Sequence, residues 1–121
     1  IDFLANVKWI ELSREGCFYS QFSYGYGPTC ISVSNDGDNI YYGTNQGEVY
    51  RISNVSSVIN DATVDSATVT KIADISKSGT SLNSFITDIA VDPNDNEHVL
   101  ITVGYYVFYS EIFINSLFSK S

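Results

Sequence analysis

A nine-residue pattern occurs twice in this chain, and it limits the available folds more than any other feature. Lys8-Trp9-Ile10-Glu11-Leu12-Ser13-Arg14-Glu15-Gly16 lines up with Lys71-Ile72-Ala73-Asp74-Ile75-Ser76-Lys77-Ser78-Gly79 at an offset of 63 residues. Both read Lys, apolar, any, acid, apolar, Ser, base, any, Gly. Ile31-Ser32-Val33 likewise lines up with Ile89-Ala90-Val91 at an offset of 58, each followed by an Asp/Asn turn and an apolar run. Repeated units of this size stack, because one alone cannot bury its apolar face.

The repeated unit is legible between Cys30 and Ile52. Ile31 and Val33 alternate with Ser32 and Ser34, and Asn35-Asp36-Gly37-Asp38 then turns the chain. Ile40, Tyr41 and Tyr42 form a second run, Thr44-Asn45-Gln46-Gly47 a second turn, and Val49-Tyr50-Arg51-Ile52 a third run. Period-two alternation between such turns is the pattern of an antiparallel meander. Nine Tyr and seven Phe against no Met favour strands over helices. Thr68 to Ser76 alternates again and predicts a fourth strand. An antiparallel four-stranded unit repeating every ~60 residues is the signature of a propeller blade.

Elsewhere, Val7 to Ser13 alternates around Trp9 and predicts a strand. Arg14 to Thr29 reads as a long, partly ordered connection, and Ser53 to Ser66 as an extended surface excursion, with a helical turn near Val55 to Ile59 as the alternative. Strands are expected over Phe85 to Asp92, His98 to Val103 and Tyr105 to Ser110, with Pro93-Asn94-Asp95-Asn96 as a turn. Residues 111–121 lack turn punctuation and read as an irregular tail. Ile31, Val33, Ile40, Ile89, Val91 and Val99 are expected to be buried, and 35–38 and 93–96 to be exposed turns.

Ser34-Asn35-Asp36-Gly37-Asp38-Asn39-Ile40-Tyr41 resembles the hairpin between the first two strands of many β-propeller blades. Gly43-Thr44-Asn45-Gln46-Gly47-Glu48-Val49-Tyr50-Arg51 resembles the turn between the second and third. Ile86 to Val99, ITDIAVDPNDNEHV, is similar to a pattern of sialidase-like and sortilin-like propellers in secreted and cell-surface proteins, many of them bacterial. The resemblance covers roughly residues 7 to 110 and is specific for fold, not function. It implies an all-β chain of antiparallel four-stranded blades forming a partial, unclosed β-propeller in one domain. Residues 7–16 would be the last strand of one blade, 30–76 a full blade, 86–110 most of the next, and 111–121 a tail. The sialidase Asp-box, Ser-x-Asp-x-Gly-x-x-Trp, is not met, since Gly37 follows Asp36 directly and no Trp closes the motif. Arg14 and Arg51 are the only arginines, so the family's catalytic arginine triad has no counterpart here.

The resemblance therefore implies a non-catalytic extracellular or cell-surface segment, acting as a protein- or glycan-binding or structural module. The alternative is a fragment of a sialidase-like glycoside hydrolase whose catalytic residues lie outside this chain. Known propellers close with about four to eight blades. The segment is therefore expected to meet remaining blades of a longer protein, or to self-associate through its open edges.

Charge narrows the partners. A net charge of −8 with only six Lys and Arg opposes nucleic acid, whose phosphates are bound by cations. It equally opposes an anionic membrane surface, and no apolar run approaches the roughly 20 residues of a membrane helix.

Candidate sites each have a plainer explanation. Phe18, Tyr19, Phe22, Tyr24 and Tyr26 are flat, amphipathic groups suited to a carbohydrate or peptide platform, or they cover core between blades. Asp92-Pro93-Asn94-Asp95-Asn96 spaces oxygens as cation loops do, but Glu97 replaces the expected glycine and Val103 the closing acid. It reads first as a turn, as does 35–38. His98, the sole histidine, reads as a surface or edge residue with no nucleophile beside it. Tyr41, Tyr42, Tyr50, Tyr105, Tyr106 and Tyr109 fall at strand positions and read as packing. Cys17 and Cys30 flank a loop and are compatible with a disulfide or with two free thiols. No catalytic residue, metal site or cofactor is assigned.

Overall fold

The computed structural model describes residues 9–20, 23–75, 84–105 and 110–115. Every strand pairing among these residues is antiparallel. β1 (Phe18–Ser20) and β2 (Ser23–Tyr26) make a hairpin. β3 (Pro28–Val33), β4 (Ile40–Thr44), β5 (Glu48–Ser53) and β6 (Thr68–Asp74) form a four-stranded sheet in chain order. β7 (Ser84–Asp92), β8 (Asp95–Tyr105) and β9 (Ser110–Asn115) form a second sheet, also in chain order.

Local chemistry sets the meander. Between β3 and β4, Gly37 adopts φ 75°, a backbone that disfavours any side chain. Ser34 Oγ donates to Asp36 Oδ1 at 2.7 Å and accepts the Asn39 N–H at 3.0 Å, fixing the register. Between β4 and β5, Thr44 Oγ1 accepts the N–H groups of Gln46 and Glu48 at 3.2 and 3.3 Å.

Alternation along the strands then sends side chains into two cores. Tyr41 and Val49 join Ile86, Ile89, Val99, Ile101 and Val103 between the sheets. Tyr42, Tyr50 and Ile52 gather on the first sheet's opposite face, with Leu12, Val55 and Val69 packed against them. There the Tyr42 and Tyr50 rings stack with centroids 5.2 Å apart. β7 crosses both β3 and β4, so the two sheets pack face to face. At the contact a Cβ on Gly43 would lie 2.4 Å from Ile86 Cβ, so glycine is what lets Ile86 seat there. Tyr41 Oη donates to the Asn96 carbonyl at 2.6 Å and ties the same interface at its rim.

The pairing gives the repeat a three-dimensional form. Ile31 opposes Tyr42 and Val33 opposes Ile40 in the first sheet. Ile89 opposes Ile101 and Val91 opposes Val99 in the second. These two quartets hold equivalent places on the same side of their units. The second quartet faces the first sheet, whereas the first faces away from the second sheet.

That difference corrects one expectation. Ile89 and Val99 are 4% and 2% exposed, but Ile31 and Val33 are 66% and 52% exposed. The positions match; what differs is the presence of a covering sheet. Ile40 and Val91 are only partly buried. The turns 35–38 and 93–96 lie at the surface, with Asp38 and Asn96 partly covered.

Several element boundaries also change. Residues 9–13, the described part of the strand expected over 7–13, form no strand; they cross the first sheet's face without a ladder partner. The connection 14–29 contains the β1–β2 hairpin. The excursion 53–66 holds two 3₁₀ turns, Val55–Ser57 and Asp61–Ser66. The second is held by a reciprocal cap in which Thr63 Oγ1 accepts the Asn60 N–H at 3.0 Å. β8 continues to Tyr105, and the next strand is 110–115, where an irregular tail was expected. Glu111-Ile112-Phe113 repeats Glu48-Val49-Tyr50 at the same offset of 63 that relates Lys8 to Lys71.

Gly43→Ala should destabilise the protein by about 1–3 kcal/mol through overpacking against Ile86. Urea unfolding should show a lower midpoint with an unchanged slope. A neutral Gly43→Ala would contradict this packing.

Candidate functional site

The first sheet's outer face carries an apolar groove. Residues 10–17 lie along this face and leave a groove of about 540 Å³, lined by Leu12, Cys17, Pro28, Ile31, Ile40 and Tyr42 among others. A closed set of hydrogen bonds pins this segment. The Glu15 N–H donates to Ser13 Oγ at 3.1 Å, and Tyr42 Oη donates to the Glu15 carbonyl at 2.8 Å. Ser13 Oγ lies 2.7 Å from Tyr42 Oη, and its hydroxyl completes the ring by donating there. Burial raises the Tyr42 pKa, so the phenol stays protonated and keeps donating.

The aromatic candidates sit at one end of this face. Phe18 and Tyr19 fall on β1, Tyr24 and Tyr26 on β2, with Phe18 opposite Tyr26. Tyr26 is exposed. Phe22 lies outside the described residues, as do Tyr106 and Tyr109. The hairpin's base is fastened to the β4–β5 turn. The Gly27 N–H donates to Asn45 Oδ1 at 3.1 Å, and the Asn45 N–H donates to the Gly27 carbonyl at 3.2 Å.

At the opposite end the two equivalent turns meet. Asn96 Nδ2 donates to Asp36 Oδ2 at 2.7 Å, and the polar cleft between the turns is lined by Asn35, Asp36, Asn39, Asn94, Asp95 and Glu97. Asp36 and Asp95 in the cleft, and Asp92 beside it, are engaged as turn acceptors. Asp36 takes the Ser34 hydroxyl and the Asp38 N–H, which hold its pKa below the usual carboxylate range. Asp92 takes the Asn94 N–H at 2.8 Å, and Asp95 the Glu97 N–H at 3.0 Å. Among the described residues no group of three or more His, Cys, Asp or Glu is placed to hold a metal ion.

His98 is half-buried, with Nδ1 3.1 Å from Asp92 Oδ2. The Asn94 N–H and then His98 lower the Asp92 pKa. His98, expected as a surface or edge residue, pairs with Asp92 across the β7–β8 turn. Cys17 and Cys30 are free thiols, and burial raises the Cys30 pKa.

Beyond the candidates, a cluster on β5 and β6 was not foreseen. Glu48 Oε2 lies 2.8 Å from Lys71 Nζ and accepts from Tyr50 Oη at 2.6 Å. Burial opposes the Glu48 charge, but these two donors outweigh it and leave its pKa lowered. Burial, and then the Glu48 carboxylate beside it, pushes the Tyr50 phenol strongly upward. Cross-strand placement of Glu48 opposite Asp74 and Tyr50 opposite Lys71 makes the cluster, a register that composition alone does not reveal.

Compared with known proteins, the chain matches no family model, no curated protein and no solved structure. Among the described residues no helix is long and apolar enough to cross a membrane.

Asp36, Glu48 and Asp92 all have lowered pKa values, so each adds stability above the unfolded carboxylate range, near pH 4. That contribution is lost as pH falls through their folded values. The urea midpoint should hold from pH 7 to 5 and drop below about pH 4. Glu48→Gln should flatten the drop; an unchanged acid limb would exclude Glu48 as a source.

Proposed function

We propose that the chain is a two-blade segment of a β-propeller, serving as a non-catalytic extracellular or cell-surface module that binds protein or glycan. One observation carries the reading. Two sequence-related antiparallel sheets stack face to face with their first strands, β3 and β7, in contact. Radial stacking of like sheets is how propellers are built. The segments that precede each sheet agree with it. Ile75 packs on the core shared with the second sheet, as Leu12, its counterpart at offset 63, packs on the first.

The β1–β2 hairpin is the contact element in this reading. It gathers four of the aromatic candidates on two short strands beside a turn, and Tyr and Phe offer broad contact at small entropic cost. The Gly27–Asn45 exchange holds it against the first sheet.

A glycan array and a fluorogenic sialoside test this. The chain should be retained by at least one glycan class and release no fluorophore. Tyr24→Ala together with Tyr26→Ala should weaken retention at least about tenfold, or 1.4 kcal/mol. Turnover of the sialoside would contradict the non-catalytic assignment, and unchanged retention would exclude the hairpin.

A further inference from the structure

We propose that Asn54 is an N-glycosylation site, its side-chain amide carrying an oligosaccharide. The proposal rests on the extracellular reading and extends it to a covalent modification of this chain.

The sequence narrows the choice to one residue. Attachment calls for Asn, then any residue but Pro, then Ser or Thr. Of ten asparagines, only Asn54 meets this, in Asn54-Val55-Ser56. Chance alone supplies such triplets in a chain rich in Ser and Thr, so the case rests on how the fold presents this one.

Asn54 follows β5 and caps the 3₁₀ turn Val55–Ser57 from the left-handed region, at φ 59° and ψ 35°. Among the described residues no other non-glycine residue has a positive φ. Asparagine enters this region more readily than most residues because its short amide can bond to nearby backbone. Here the cap makes no side-chain hydrogen bond, and Asn54 is exposed. The usual local use of an asparagine amide is therefore not made, and the group stands at the surface.

The mount around it is firm. The Asp38 carbonyl accepts the Val55 N–H at 3.1 Å. Asp38 Oδ1 accepts the Ser56 N–H at 3.1 Å and the Ser56 hydroxyl at 2.6 Å. Val55 also packs against the Tyr42, Tyr50 and Ile52 cluster. None of these contacts uses the Asn54 side chain, so exchanging one amide hydrogen for a sugar removes none of them. Asp38 takes the Ser56 hydroxyl only once this turn has docked, which leaves the triplet free during synthesis.

The position also leaves the β1–β2 hairpin clear. That hairpin is fastened at Asn45, ahead of β5, whereas Asn54 comes after β5 ends. The six residues of β5 hold the two ends about 20 Å apart, at about 3.3 Å each. A glycan rooted at Asn54 thus leaves from the opposite end of the sheet.

The donor is an oligosaccharide on a polyisoprenyl diphosphate. A bond forms between Asn54 Nδ2 and the anomeric carbon, and the bond from that carbon to the diphosphate breaks. The diphosphate leaves with the electron pair, Nδ2 gives up one proton, and nothing is oxidised or reduced.

The test is secretion of the 121-residue chain from a eukaryotic cell line behind a cleavable signal, read by intact mass and peptide mapping. Asn54 should carry oligosaccharide, and a peptide-N-glycosidase should remove it and leave an aspartate there. Asn54→Gln and Ser56→Ala should each abolish the modification, while Ser56→Thr, which keeps the hydroxyl, should retain it. Ser56 is exposed, so its two variants decide the matter even where Asn54→Gln strains the left-handed cap. A secreted chain with a bare Asn54, or a sugar that survives Ser56→Ala, would overturn the proposal. Binding has its own readout in the glycan array. Retention by a chain with a bare Asn54 would sink this proposal alone, and modification at Asn54 without retention would sink the binding reading alone.

Discussion

The seat of Ile86 over Gly43 is the contact on which the rest of the structure depends. Without a side chain at residue 43, the second sheet approaches the first closely enough to exclude water from seven buried side chains. Each buried aliphatic group contributes about 1.5–3 kcal/mol, so this contact holds the two sheets together. The hydrogen bonds around it follow from the same approach. Tyr41 reaches the Asn96 carbonyl and Asn96 reaches Asp36 only because the sheets are already close. Thr29 Oγ1 donates to the Ile86 carbonyl at the other end of the contact.

Seen this way, the exposure of Ile31 and Val33 is a consequence of position in a stack. An alternating strand specifies a face, but the next sheet decides whether that face is dry. The first sheet receives only a substitute cover from residues 10–17, fastened by the Ser13–Tyr42–Glu15 ring of hydrogen bonds. That segment shields Tyr42, Tyr50 and Ile52 and leaves the β3 side bare. The polar ends of the sheets are built differently. There Asp36, Asp92 and Asp95 hold backbone N–H groups within their turns.

Much of this was legible in the sequence. The β3–β4–β5 meander, its turns at Asp36-Gly37 and Gln46-Gly47, and the start of β6 at Thr68 follow from period-two alternation and turn chemistry. The misses share a physical cause. Residues 9–13 have a strand's pattern, yet a strand also needs an edge to pair with, and here they lie on a face. The 18–26 hairpin was obscured because Gly25 and Gly27 read as breaks where the chain in fact pairs. β9 carries no turn signal, but its Glu-Ile-Phe echo of Glu-Val-Tyr in β5 was present all along. Of the candidate residues, Phe18, Tyr19, Tyr24 and Tyr26 do come together on one hairpin. The Glu48–Lys71–Tyr50 cluster depends on cross-strand register and was out of reach.

Native-state hydrogen exchange tests most directly whether the two sheets are one cooperative body. The amides of β4 and β8 should share one opening free energy, and Ile86→Ala should lower both by the same about 2–5 kcal/mol. If β8 exchanged through a separate, lower-energy opening, or if Ile86→Ala left β4 protected as before, the sheets would be independent. The account built on their contact would then be contradicted.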